Sequence, residues 1–269
     1  MNDAMTGRDT AETGEAARQL ARHGRWRRPT SSLAPGYVQA NLLVVPAEAA
    51  DEFEDLCAAN PRALPLLERL PLGCAIPRRI ATGADLRTDL PLYRVYRNGT
   101  FVGEQSDLLD VWPDDGCAFL LGCSFAFDAV LSDAGIPIRH RDAGRNVPMY
   151  RTNRPLVPAG RFDGTTVVSL RPVPARLVAL ARSLTEPLVH AHGGPLHVGE
   201  PLNLGIVDLS RPDFGDPPDV HPGDVPMFWA CGVTAEQTAV AAQLRYVFTH
   251  APGHMFVTDL RIDEARAGA

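Results

Sequence analysis

The chain has 269 residues, 45% of them apolar and 22% charged, with a formal net charge of −6. That is enough for one large domain or two modest ones with a sizeable core, in the composition range of soluble globular proteins. The acidic balance argues against a nucleic-acid partner, and no apolar run approaches the roughly 18 residues of a membrane span.

The opening stretch, MNDAMTGRDTAETGEAARQL, carries acids and has no apolar core, so it does not read as a secretory signal. Five cysteines, an odd number without a C-x-x-C, point to neither a disulfide framework nor a zinc ribbon. Free thiols in an unexported chain fit a cytoplasmic location.

Residues 1–14 are small, polar and aperiodic, and a disordered tail is expected there. GEAARQLARHG predicts a helix ending at Gly24. A Pro35-Gly36 turn then leads into a strand that runs to Pro46. In AEAADEFEDLCAAN, Ala50, Phe53, Leu56 and Cys57 recur at helical spacing, and Asn60-Pro61 stops the helix. LPLYRVYRNGTFVGEQ predicts a hairpin around Asn98-Gly99. In AFLLGCSFAFDAVLSDAG, residues 118–135, an apolar strand stops at Gly-Cys-Ser and a helix follows at once. GRFDGTTVVSLRPVP supplies another strand and PARLVALARSL another helix. After a Gly/Pro-rich loop, DVPMFWACGVTAEQTAVAAQL is again a strand feeding a helix. YVFTHAPGHMFVTDL closes the chain with strands around Pro252-Gly253. Strands alternating with helices predict an α/β fold. The turn-rich stretch 141–224 reads as a smaller α+β subdomain inserted into a main unit made of 15–140 and 225–269. No repeat of 20–50 residues is evident.

Chemistry is expected first at the strand–helix junctions. Ser124 stands where an N-cap belongs and Gly135 where a C′ glycine belongs. Cys123 lies just before a first turn whose unpaired N–H groups carry about half a positive charge. Such a turn can hold a carboxylate or lower a nearby thiol's pKa. The pattern is not the G-x-S-x-G elbow. A second junction, Cys231-Gly232, is followed by Thr234 and Gln237 at capping-box spacing. Converging helix starts would bind an acidic ligand through Cys231 and Thr234 as well. Two ordinary caps would read the same.

The stretch GRNVPMYRTN gathers Arg145, Asn146, Tyr150, Arg151, Thr152 and Asn153. Arginine grips carboxylates bidentately, so this is a substrate-binding loop or a polar surface loop. His250 and His254 flank a Pro-Gly turn and cannot share a helical face as H-E-x-x-H requires. His190, His192 and His197 have no cysteine or carboxylate at metal spacing among them, and no metal is expected. A general acid/base role suits His250 or His254 better. Asp85, Arg87, Thr88 and Asp89 form either a salt-bridged turn or a polar site. No dinucleotide fingerprint or phosphate loop is present, so no nicotinamide, flavin or nucleotide cofactor is expected.

Seven blocks carry a resemblance: LAPGYVQANL, ADLRTDLPLYRVYRNG, FLLGCSFAFD, GRNVPMYRTN, DLSRPDFGD, VPMFWACGVT and THAPGHMFVTDL. In this order, from about Glu15 to about Asp263, they resemble the D-glutamate cyclase family, whose bacterial members are labelled hydro-lyases. The resemblance implies a three-layer α/β/α sandwich with a smaller two-layer α/β unit. It also implies loss of water from a small acid, in the named case closure of D-glutamate to 5-oxo-D-proline. It brings no catalytic residues with it. The candidates therefore rest on the residues themselves: Cys123, Ser124, His250 and His254 for catalysis, and Arg145, Asn146, Tyr150, Arg151, Asn153, Cys231 and Thr234 for binding. The expected partner is a small carboxylate-bearing metabolite, with homo-oligomerisation left open. A non-catalytic binder of such a metabolite, or a subunit of a larger enzyme, would use the same arginines and helix ends.

Overall fold

The computed structural model describes residues 10–264. Of the tail expected over 1–14, residues 1–9 lie outside the described residues. Ala11 is buried, and Gly14 opens the first helix.

Helix α1 (Gly14–Arg22) is capped by Thr13, whose hydroxyl accepts from the Ala16 N–H. β1 (Tyr37–Pro46) is buried along nearly all its length and runs straight into α2 (Ala47–Ala59). Pro46 can close the strand there because its ring already sets a φ near that of a helix. β2 (Leu66–Arg69) follows, then the hairpin of β3 (Tyr93–Arg97) and β4 (Thr100–Gln105). Its turn residues Asn98 and Gly99 both take positive φ, 47° and 71°, which suits the twist of the strands they join. β5 (Gly116–Gly122), α3 (Phe125–Asp133), the single turn α4 (Arg139–Asp142) and β6 (Met149–Pro155) come next. The chain continues with β7 (Thr165–Pro174), α5 (Val178–Thr185), β8 (His197–Val198) and β9 (Asp224–Ala230). It ends with α6 (Val233–Ala241), β10 (Val247–His250) and β11 (Phe256–Arg261).

The mixed α/β content matches expectation, and the strands pair antiparallel throughout. One sheet has the order β2-β5-β1-β10-β3-β4, with β11 also paired to β1. The second has the order β6-β7-β9-β8, so β9 joins the strands of the turn-rich middle. Alternation along β1 sends Leu43 and Val45 to one face, with α2 and with Ala235 and Ala239 of α6. Ala40, Leu42 and Val44 face the other way, under Leu86, Leu90 and Leu108. In the second sheet Val173, Met227 and Trp229 meet α3 and α5, while Leu170 and Phe228 meet Leu204 and Ile206. No helix among the described residues is long and apolar enough to cross a membrane.

Two halves of this fold are topologically equivalent. Each has a ten-residue central strand ending in Pro with an Ala directly after it (β1, β7), and then a helix (α2, α5). Each continues to a seven-residue strand (β5, β9) and a nine-residue helix (α3, α6). Pro46 opposes Gly116 and Pro174 opposes Asp224, so the central pairs share one register. The halves exchange parts. Helix α3 leaves the first sheet and packs on the second, and α6 does the reverse.

Candidate active site

Both strand–helix junctions fold alike. Ser124 and Gly232 share the same helical backbone, φ −63° and ψ −16°. The first-turn N–H groups bond back within the turn: Ala126 to the Cys123 carbonyl at 3.1 Å and Thr234 to the Cys231 carbonyl at 3.0 Å. No extended residue is left to aim a capping side chain. The expected Ser124 cap is therefore absent. Its Oγ accepts instead from Arg171 Nη2 at 3.2 Å and lies 3.4 Å from Ser169 Oγ. The Thr234–Gln237 capping box is absent too. Thr234 Oγ1 donates to the Cys231 carbonyl at 2.7 Å and accepts from the Val167 N–H at 3.0 Å, which fastens α6 to β7. Gln237 Oε1 accepts from Arg151. Gly135 does end α3 as expected, with φ 78°.

The cysteines take up part of the missing capping. The Phe125 N–H approaches Cys123 Sγ at 3.5 Å, and the Val233 N–H acts on Cys231 in the same way. Both thiols lie in one apolar cluster with Phe125, Val147, Met149, Val167, Val233 and Met255, against Phe214. Cys123 is 5% exposed and Cys231 7%. The expected lowering of thiol pKa by a helix start is overturned. Burial in this cluster dominates, raising Cys231 to about 11 and Cys123 further, although Arg171 pulls both down.

Arg171 is itself only 1% exposed. It donates from Nε to Asp128 Oδ1 at 2.9 Å and from Nη1 to Ser169 Oγ at 2.6 Å. Burial works to raise Asp128, but Arg171 and His140 outweigh it and hold the carboxyl below its usual range. In the other half Glu236 takes the equivalent place, five residues after its cysteine. Tyr96 Oη donates to it at 2.8 Å and Thr249 Oγ1 at 3.3 Å. There burial wins and raises the carboxyl. Reading the sequence missed Arg171, Asp128 and Glu236. The signal was present as an acid at the same distance after both junction cysteines.

The remaining candidates divide. Arg151 donates to Gln237 Oε1 at 2.6 Å and to Asp213 Oδ1 at 3.0 Å, and its guanidinium lies 4.9 Å from the Phe214 ring centre. It thus stands at the rim of the thiol cluster. Asn146 Nδ2 donates to the Pro252 carbonyl at 3.2 Å, pinning its loop to the turn that carries His254 and Met255. His254 is half-buried, with Nδ1 3.0 Å from the same carbonyl, and burial lowers its pKa. His250 is elsewhere. It pairs across the sheet with Tyr93, on the face turned away from α6. Burial pushes it down to about 3, and its Nδ1 has no partner. Tyr150 also faces away from the thiols, packed with Phe228 and donating to the Leu209 carbonyl at 2.6 Å. Asn153 lies against Gly205, and Arg145 is exposed beside Pro148 and Pro172. Asp85 pairs with Arg87 at 2.7 Å and Asp89 with Arg22 at 2.7 Å, a salt-bridged turn.

Fold and site together define a two-sheet α/β protein with paired cysteine-bearing helix starts. The family model for D-glutamate cyclase matches residues 117–259. A Geobacillus kaustophilus protein named "putative hydro-lyase" is 48% identical over 252 residues, covering 94% of this chain and 96% of that one. One from Stutzerimonas stutzeri with the same name is 50% identical, covering 93% and 94%. One from Rubrobacter xylanophilus, again so named, is 51% identical, covering 91% and 95%. The chain belongs to the D-glutamate cyclase family.

Proposed function

We propose that the protein is a carbon–oxygen lyase that removes water from a small amino or hydroxy acid, with D-glutamate closing to 5-oxo-D-proline as its reaction. The observation that carries this reading is the meeting of two cysteine-bearing helix starts in one apolar cluster, with Arg151 at its rim. The names of the relatives and the family model support it.

Ring closure joins the substrate amine to the γ-carboxyl carbon and expels one oxygen as water. The ammonium must lose two protons in all, the departing oxygen must gain two to leave as water, and the tetrahedral oxyanion needs donors. Arg151 holds the α-carboxylate. His254, neutral because burial lowers its pKa, takes the ammonium proton. A buried thiol, held protonated by its apolar surroundings, gives the proton that leaves with the water. The second N–H proton passes from the tetrahedral nitrogen to the same oxygen, which leaves as water, and the proton on His254 returns to the thiolate through solvent. The Phe125 N–H, held only by the long 3.5 Å contact to Cys123 Sγ, is the donor that turns to the oxyanion.

The test is proton NMR of the purified protein with D-glutamate, using L-glutamate as the control. Enzyme-dependent appearance of 5-oxoproline from the D-form supports the reading. Folded protein that turns over neither form, yet binds D-glutamate saturably, would overturn it in favour of a binding protein.

A further inference from the structure

Residues 30–37 form a strap beside the start of α3 that the proposed reaction leaves unused. The strap is fixed from three directions. The Thr30 N–H donates to the Gly253 carbonyl at 2.8 Å, and Thr30 Oγ1 accepts from the Met255 N–H at 3.0 Å. Gln39 Nε2 donates to the carbonyls of Thr30 and Leu33 at 2.9 Å and 3.3 Å. The Ala34 N–H donates to the Ala11 carbonyl at 2.8 Å. So held, Ala34 takes φ 45°, a left-handed backbone uncommon for a residue with a side chain. Strain of this kind persists only where the surroundings over-determine it, and it clusters at ligand clamps.

Between the strap and α3 lies a cavity of about 250 Å³. Drug-sized ligands occupy roughly 300–1,000 Å³, so the occupant here is small. Phe125 and Ala126 form one wall, and Phe125 also belongs to the thiol cluster. Among the described residues that line the cavity, Arg141 is the only charged one. Its Nη2 donates to Ser132 Oγ at 2.7 Å and lies 3.4 Å from Asp142 Oδ1, while no described residue takes Nε or Nη1. Ser31 and Ser32 add hydroxyls to the lining. Asp133 and Asp263 line a neighbouring hollow past Ala129, which Arg141 and Arg261 also border. A guanidinium with open N–H groups beside two hydroxyls is a seat for one carboxylate. The rest of the ligand follows from the same lining. An ammonium brought in would lose water and meet no acid, whereas an uncharged body would rest on Phe125 and Ala126.

We propose that this cavity binds a small monocarboxylate whose body carries no charge. 5-Oxoproline is of that class, because its nitrogen is an amide where that of glutamate is an ammonium. The class of ligand rests on the lining alone, whereas the choice of 5-oxoproline rests on the function proposed above. There the cavity holds the product, close to the turn of His254 to which Thr30 ties the strap.

Isothermal titration calorimetry on the full-length protein would compare 5-oxo-D-proline and 5-oxo-L-proline with two controls. D-proline keeps the ring and the carboxylate but carries an ammonium. 5-Oxo-D-prolinamide keeps the ring and has no charge. At least one oxo acid should bind, and both controls should bind about 10-fold more weakly or worse. Arg141→Ala should weaken the oxo acid by about 10- to 100-fold, the usual worth of charge-assisted hydrogen bonds. Ala129→Leu, which fills the cavity from a half-buried position, should also weaken it, and Arg151→Ala should leave it unchanged. No heat of binding at millimolar oxo acid would overturn the proposal, as would controls that bind equally well. Binding that survives both Arg141→Ala and Ala129→Leu would overturn it too. D-glutamate turnover is followed separately by NMR. Binding at the cavity without turnover sinks the lyase reading and leaves this site standing, and turnover without such binding does the reverse.

Discussion

Arg171 and Asp128 illustrate what one buried pair contributes at the residue scale. Removing one partner leaves an uncompensated charge in the interior, which costs about 3–5 kcal/mol. Arg171→Ala should therefore lower stability by about that much in urea titration, because Asp128 and Ser169 lose their donor together. Arg151 differs because it is exposed and its partners are at the rim. Arg151→Ala should leave the urea midpoint nearly unchanged. In the proposed reaction it should raise KM by about 10- to 100-fold, the equivalent of 1.5–3 kcal/mol for charge-assisted hydrogen bonds. Histidine sets the acid limit. Burial pushes His250 down to about 3 and His192 to about 4. In the unfolded chain each takes its proton near pH 6.5, about the value of a free imidazole. Between those values the unfolded state binds more protons, so stability rises with pH and is lost on acidification. The slope is about 1.4 kcal/mol per pH unit for each histidine. Urea midpoints taken from about pH 7 down to about pH 5 should fall, and His250→Asn should remove one histidine's share of that slope.

The two junctions differ in how their neighbours fill one space. Asn41 on β1 lies against Gly232, where a Cβ would sit 2.0 Å from its side-chain atoms. The equivalent residue on β7, Ser169, lies against Ser124. One half pairs a long side chain with none, and the other pairs two short ones. Gly232→Ser alone should overpack the site by about 1–3 kcal/mol. Adding Asn41→Ser should return a measurable part of that loss, since the junction then carries the serine pair of its counterpart. A double-mutant cycle in urea would show coupling of about 0.5 kcal/mol or more, whereas additive effects would refute the match. The same elements show what can be read from sequence. Helices α1 and α2, the Asn98-Gly99 hairpin and both strand–Cys–helix junctions were legible because period and turn chemistry are local. Strand partners were not, because alternation tells which face is buried and nothing of which strand lies alongside. The two caps were misread for a local reason. Ser and Thr cap a helix where their own backbone is extended, as at Thr13, and here the chain turns helical one residue early. Arg171 was invisible because an arginine inside an apolar strand announces no partner 43 residues earlier in the chain.

At the scale of the whole molecule, the exchanged parts make the halves dependent on each other. β1 is flanked by β5 on one side and by β10 and β11 on the other. The face carrying Leu43 and Val45 is closed partly by α6, which belongs to the second half. The second sheet is closed by α3 from the first half, through Phe127 on Trp229 at 5.4 Å, and takes β6 as its edge. A cut between the exposed residues Asp163 and Gly164 would divide the halves while leaving every strand whole. The fragment 1–163 alone would keep β1 with one bare edge and an apolar face covered only by α2. The fragment 164–269 alone would keep Trp229 without its cover. An open strand edge beside uncovered apolar surface favours aggregation over folding. Neither fragment should therefore show a cooperative thermal transition by circular dichroism. Produced together, they should assemble into a one-to-one complex with a single melt and the tryptophan emission of the intact chain. If either fragment melts cooperatively alone, that half carries a self-sufficient core. The thiol cluster would then be a seam between two independent domains, whereas joint folding makes it the one place where both halves contribute a cysteine to the same interior.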